Sequence, residues 1–369
     1  MTAAPTSEDP VTVPGDGVPA IRAAGITKVF SPRGGGLVGK DDVHALRGVD
    51  LTLRRGEAAS LIGESGCGKT TLGRIFAGLE EAGGGTLELA GRDVARTRGR
   101  DRRELFQRVQ LIHQDPYSAL NPATMIDETL RMPLRVRARQ RAAAGERIGR
   151  TWIEDRLDEL LELVGLDPAG VRDKYPHKLS GGQRQRVCIA RALTLDPDVL
   201  VADEAVSMID VSLRLGILNV FRRLREQLGV ALLFITHDVA TARYVGAGGS
   251  IHVIYRGRII EQGPTDEIIQ RPLHPYTHCL LSAIPIMRGV ETDGPDRLLP
   301  AAGPEVHAPT DGAADCVFRK RCPDARQDCA TRVPPLVDHD HDAAAEHQHA
   351  CLHPRARRVI PRPIDPQSV

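Results

Sequence analysis

"EAASLIGESGCGKTTLGRIFAGL", Glu57 to Leu79, decides how the rest of the chain is read. It begins as a short apolar run, passes through a cluster of glycines and ends in an amphipathic helical pattern. Inside it, Gly63 to Thr70, "GESGCGKT", fits G-x-x-x-x-G-K-S/T in the strand-to-helix setting that this motif needs. Glycines let backbone N–H groups close around phosphates, Lys69 reaches the β and γ oxygens, and Thr70 offers a hydroxyl to Mg²⁺. The expected nucleotide-binding residues here are Gly63, Glu64, Ser65, Gly66, Cys67, Gly68, Lys69, Thr70 and Thr71. Cys67 reads as a small filler, although a place near a helix N-terminus could also make it reactive.

Three other short apolar runs end in polar residues. "DVLVADEA", Asp198 to Ala205, ends in Asp203, which can hold Mg²⁺ through water, and Glu204, which can polarise an attacking water. "ALLFITHD", Ala231 to Asp238, offers His237 to a γ-phosphate or to that water. "LIHQDPYSALNP", Leu111 to Pro122, offers Gln114, whose amide can bind Mg²⁺ or water. Strands alternating with helical pattern argue for a mostly parallel α/β sheet with its ligand site at the carboxyl ends of the strands. One such sheet brings these strand ends to a single edge.

"LSGGQRQR", Leu179 to Arg186, reads as a second anion cradle. Ser180 is the expected N-cap, and Ser180, Gly181 and Gly182 offer N–H donors and a favourable dipole at a helix start. The section from about 118 to 178 is dominated by helical pattern, and Thr151 to Leu166 reads as a plain core-facing amphipathic helix.

The chain has 369 residues, 41% hydrophobic and 26% charged, with a net charge of +1. That balance gives no basis for a general nucleic-acid or membrane-surface binder. It contains no apolar run of about 18 residues, and its first residues lack a secretory pattern, so a cytosolic protein is expected. The 7 cysteines are then expected to be reduced, metal-bound or buried. Residues 1–18 read as a disordered tail, and the pattern changes after about 270 to clusters of proline, histidine and cysteine.

In this order, "GESGCGKT", "HQDP", "LSGGQRQR", "VLVADEA", "SMID" and "ITHD" resemble the phosphate loop, glutamine loop, signature, magnesium strand, D-loop and switch histidine of an ATP-binding-cassette (ABC) ATPase. The resemblance covers roughly 20 to 270. It implies a P-loop NTPase core over 19–270, with a helical subdomain at about 118–185 and a small cysteine-containing extension over 271–369. Catalysis would fall to Glu204, His237 and Gln114, and Mg²⁺ to Thr70, Asp203 and Gln114. The resemblance also implies that the signature residues Ser180, Gly181, Gly182 and Gln183, with Asp210 of the D-loop, close over ATP held by another subunit, which explains the second cradle. Phe30 in "ITKVF" is the expected partner for adenine stacking.

"HQDPYSALNP", "ADEAVSMIDVS", "HPYTHCLLSAIP" and the insertion "GGGLVGKDDVHAL" are most similar to the peptide and nickel importer ATPases, the insertion being typical of the second of two paired subunits. The implied partners are a homologous ATPase, two transmembrane permease subunits and, indirectly, an extracytoplasmic binding protein, with the chain peripheral at the cytoplasmic face. Two departures stand out: Ala205 where the family usually has proline, and "SMID" for the commoner "SALD", a form associated with oligosaccharide as well as peptide transport. A soluble cassette protein acting on nucleic acid or ribosomes is the contrasting reading. It usually has two cassettes per chain and a basic patch with interleaved aromatics, and neither is present.

Cys316, Cys322, Cys329 and Cys351 give C-x5-C-x6-C-x21-C, a set that can close around zinc or a 4Fe–4S cluster. The spacing lacks the C-x2-C pairs of zinc ribbons, and some similar importer ATPases hold iron–sulfur. The neighbouring "DHDHDAAAEHQH", Asp338 to His349, reads as a flexible acidic and imidazole-rich loop.

Overall fold

The structure, a computed structural model, describes residues 17–31, 42–283, 315–339 and 347–357. Most of the expected 1–18 tail and of the glycine-rich insertion lies outside them. The chain opens with β1 (Ile21–Phe30), β2 (Val43–Leu53), β3 (Ala58–Ile62), α1 (Lys69–Phe76), β4 (Gly84–Leu89) and β5 (Arg92–Asp93). Strands β2-β1-β4-β5 form an antiparallel four-stranded sheet. After α2 (Gly99–Gln107) and β6 (Val109–Ile112) comes a helical section: α3 (Pro116–Ala119), α4 (Ile126–Ala143), α5 (Trp152–Leu163), α6 (Pro168–Val171) and α7 (Gly181–Leu193). The chain returns through β7 (Val199–Asp203), α8 (Val211–Leu228), β8 (Ala231–Thr236), α9 (Val239–Val245), β9 (Ser250–Tyr255), β10 (Arg258–Pro264), α10 (Thr265–Gln270) and α11 (Pro275–Ser282). The last described strands are β11 (Val337–Asp338) and β12 (Gln348–His349).

The main sheet runs β11-β12-β10-β9-β3-β8-β7-β6, with β9, β3, β8, β7 and β6 mutually parallel. Every residue of β3, β7 and β8 is buried, as expected for central parallel strands covered on both faces. Alternation then sorts the side chains into two cores. Leu200, Ala202, Leu232 and Phe234 pack against the helical section, whereas Val199, Val201, Leu233 and Ile235 pack beside α1 and the antiparallel sheet. Helix α5 is the plain core helix expected, burying Leu157, Leu160 and Leu161.

Residues beyond 315 continue the main sheet: β12 pairs antiparallel with β10, Glu261 opposite His349 and Gln262 opposite Gln348. This corrects the flexible-loop reading of the histidine run at its described end, since His347 and His349 are buried; residues 340–346 lie outside the described set. The physical reason is Glu261, a carboxylate with no exposed surface, which requires partners. Its oxygens accept the N–H groups of Leu273 at 2.7 Å and His274 at 3.0 Å, and His347 Nε2 lies at 2.8 Å. Burial opposes the charge of Glu261, yet the bond to His347 and the amide donor hold its pKa below the ordinary value.

His274, beside this carboxylate, caps α11 by accepting the N–H of Tyr276 at 3.0 Å. Burial depresses its pKa to about 4, against the opposing pull of Glu261. Between pH 6.5 and 4 the unfolded chain therefore binds the proton that the folded one refuses, and stability falls as the pH drops through that window. The loss approaches about 3 kcal/mol once the pH falls below about 4, where the folded histidine is protonated as well. Urea midpoints measured across the window should show it, with His252 and His278, also depressed by burial, acting in the same direction. His274→Asn keeps a cap acceptor and should flatten the dependence; an unchanged slope in that variant would remove His274 as its source.

Candidate nucleotide site

The loop between β3 and α1 is shaped by close approach. A Cβ on Gly63 would lie 2.2 Å from the Ile254 carbonyl oxygen, and one on Gly68 would lie 2.4 Å from that of Ala45. Gly66 and Gly68 also have φ of 80° and 106°, in the left-handed region that favours glycine. Lys69 is buried, and its ammonium donates to the carbonyls of Gly63 at 2.7 Å and Glu64 at 2.8 Å, so the lysine curls under its own loop. Cys67 is the buried filler; burial pushes its thiol pKa up, with the Lys69 charge opposing, which leaves no activated thiolate.

Three strand ends meet beside this loop. Thr70 Oγ1 donates to Asp203 Oδ1 at 3.1 Å, joining α1 to the end of β7. Asp203 is buried, and that burial raises its pKa against the Thr70 hydrogen bond. Glu204 follows with φ 48°, a left-handed conformation that costs a non-glycine residue of order 1–3 kcal/mol. Its N–H is pinned to the Ile235 carbonyl of β8 at 2.9 Å. Its carboxylate accepts the Gln114 amide at 3.0 Å from beyond β6 and lies 3.2 Å from His237 Nδ1 beyond β8. Thus Thr70 with Asp203, and Gln114 with Glu204 and His237, are brought together as the parallel sheet implies. Sequence reasoning missed Ser207, which lies 3.2 Å from the Gln114 amide and donates to the Glu204 carbonyl at 2.9 Å. A serine three residues on in a turn carries no signal of its own.

The signature forms a separate group. Ser180 Oγ accepts the Gln183 N–H at 3.2 Å while Gln183 Oε1 accepts the Ser180 N–H at 3.0 Å, a reciprocal capping box. The expectation of three free donors is thereby corrected: the side chain of Gln183 takes the Ser180 N–H, which leaves those of Gly181 and Gly182. Helix α7 packs against α3, α4, α5, α8 and β6. Asp210 sits at the N-cap position of α8 without making a side-chain cap. Phe30 is exposed at the end of β1, opposite Val43, two residues from the Ala45 carbonyl that touches Gly68.

Cys316 and Cys322 of the extension pack against the core cluster that contains Phe318. Cys316 N–H donates to the Cys329 carbonyl at 2.9 Å. Burial pushes the Cys322 thiol up to about 12 and that of Cys351 to about 11, with smaller contributions from neighbouring thiols: Cys351 and Cys316 act on the first, Cys316 and Cys329 on the second. Among the described residues, the group of three donors whose ligand atoms all lie within 4.8 Å of one another is Asp328, Cys329 and His353.

Among the described residues no helix is long and apolar enough to cross a membrane. Residues 46–207 match the family model "ABC transporter", and residues 260–329 match "Oligopeptide/dipeptide transporter, C-terminal region". The chain is 38% identical over 316 residues to the di/tripeptide transport ATP-binding protein DppF of Pseudomonas aeruginosa, covering 86% of this chain and 93% of the relative. Among solved structures it is similar to cbiO1 from Clostridium perfringens, part of an ABC transporter complex, with TM-score 0.57 and 25% identity over 68% of this chain and 91% of the other. It is also similar to the cassette MJ0796 in a dimeric post-hydrolysis state bound to ADP and Pi, with TM-score 0.55 and 25% identity over 65% of this chain and 96% of the other. With the phosphate-loop motifs on one mixed α/β sheet and a relative of this identity matched along nearly its whole length, the chain belongs to the ABC transporter ATP-binding protein family.

Proposed function

We propose that this chain is the ATP-binding and ATP-hydrolysing subunit that energises an importer of dipeptides or oligopeptides. The relative's printed name and the C-terminal match support the substrate class. Lys69 and the loop amides hold the β- and γ-phosphates, and Phe30 stacks on adenine. Thr70, Asp203 and Gln114 hold Mg²⁺, which supplies charge neutralisation at the phosphate oxygens; a hydroxyl beside a buried carboxylate suits such a hard cation. Glu204 takes the proton of the attacking water, which Gln114 and His237 orient.

Gly181 and Gly182 complete the pocket of a second, homologous ATPase, with Asp210 at the same boundary. The observation that carries this reading is the surroundings of Gly181. A Cβ there meets nothing within 4 Å, and its φ is ordinary, so neither packing nor backbone within the chain demands glycine. The position is open to approach by a group from outside the chain. Leu213 on α8 lies 3.5 Å from where a Cβ on Gly182 would stand, and the exposed apolar side chains Met208 and Leu215 on the same D-loop and helix support an interface there. Exposed Tyr117, Met132 and Val136 on the helical section suit docking of the two permease subunits, which receive peptide from an extracytoplasmic binding protein and keep the chain at the cytoplasmic face of the membrane.

Gly181→Val tests the pairing. ATP binding and thermal midpoint should stay as in the unmodified protein, while turnover falls by at least about tenfold and the ATP-dependent dimer disappears from gel filtration. Unchanged turnover would exclude a partner's nucleotide at this site. For the cargo, dipeptide-loaded binding protein should stimulate ATPase activity in the reconstituted transporter; stimulation by nickel or oligosaccharide alone would overturn the peptide assignment.

Cys316, Cys322, Cys329 and Cys351 are proposed to hold a 4Fe–4S cluster, supported by their lying near enough to act on one another electrostatically. Anaerobically purified protein should contain iron and absorb near about 400 nm. Zinc in place of iron would reverse the assignment.

A further inference from the structure

Glu64 lies second in the phosphate loop, and each of its polar groups is taken by a different part of the chain. Its carbonyl accepts the Lys69 ammonium at 2.8 Å. Its N–H donates to Tyr276 Oη on α11 at 2.8 Å. Its carboxylate receives a two-pronged guanidinium from Arg321, with Nη1 to Oε2 at 2.7 Å and Nη2 to Oε1 at 2.9 Å. Arg321 immediately precedes Cys322 in the cysteine-bearing extension. Such planar, paired contacts fix orientation as well as distance.

The extension is held firmly enough to deliver that arginine. Phe318 is 1% exposed, its ring centroid 5.3 Å from that of Tyr255 and 5.4 Å from that of Tyr276. Arg321 N–H donates to the Phe318 carbonyl at 2.9 Å, so the turn carrying the arginine starts from this anchor. Sheet pairing between β10 and β12 and the His347–Glu261 contact secure the far end.

We propose that Arg321 and Tyr276 are positioning residues for the nucleotide: they hold Glu64, and through its carbonyl Lys69, in the geometry that receives the triphosphate. The cysteine-bearing extension thereby sets ATP affinity without touching ATP. This inference rests on the nucleotide reading of the phosphate loop given above.

The test uses the full-length protein, titrated with Mg-ATP in both equilibrium binding and steady-state hydrolysis. Arg321→Ala should raise Kd and KM by about tenfold while kcat stays within about twofold, because a lost orienting contact weakens binding and leaves the hydrolytic groups in place. Arg321→Lys, which keeps the charge without the fork, should recover part of the affinity. Tyr276→Phe keeps the ring among Tyr255 and Phe318, removes the acceptor for the Glu64 N–H alone, and should also raise Kd. A lowered melting temperature with Kd and KM unchanged in all three variants would overturn the inference and leave Arg321 as a structural tie. Failure of the unmodified protein to bind ATP would instead count against the nucleotide reading itself.

Discussion

Glu204→Gln is expected to bind Mg-ATP as the unmodified protein does and to lose about 10²–10⁴-fold in turnover, the range a positioned general base contributes. The middle of that range corresponds to about 4 kcal/mol of barrier. The exchange is close to isosteric, and the remaining oxygen can still accept the Gln114 amide that lies 3.0 Å from Glu204 Oε2. The N–H bond to Ile235 at 2.9 Å belongs to the backbone and survives, so the left-handed turn stays in place. What disappears is the negative charge that would take a proton from water. With hydrolysis blocked, ATP should hold two subunits closed, and gel filtration with ATP should show a persistent dimer. Phosphate release at the normal rate would remove Glu204 from the role of base.

Lys69→Ala should act on the preceding step, weakening Mg-ATP binding by about 100-fold or more, which is the loss of roughly two charge-assisted hydrogen bonds. The effect has two sources. The ammonium is the cation placed to meet the β- and γ-phosphates, and it also ties the loop through the carbonyls of Gly63 and Glu64. Lys69→Arg separates them. The charge is retained, but the larger planar head does not fit a buried position only 5% exposed, so affinity should still fall. Titration with a fluorescent ATP analogue measures both variants. Nucleotide binding that persists unchanged in Lys69→Ala would move the triphosphate away from this loop.

The sequence by itself determined the phosphate loop, the sheet that follows from it and the polar strand ends. These features are local: the glycines Gly66 and Gly68 where φ is positive, the largely apolar runs of β3, β7 and β8, and the serine at the N-cap of α7 are all written in neighbouring residues. That Thr70 meets Asp203, and Gln114 meets Glu204, followed from topology, because parallel strands deliver their carboxyl ends to one edge. Only the tertiary structure decided what surrounds Glu64, whose partner Arg321 lies 257 residues away and whose partner Tyr276 lies 212 away. The same holds for His347, which the composition of its run places in solvent and which pairing of β12 with β10 brings onto the buried Glu261. Such contacts join side chains through three-dimensional closure alone, so no periodicity or spacing along the chain records them.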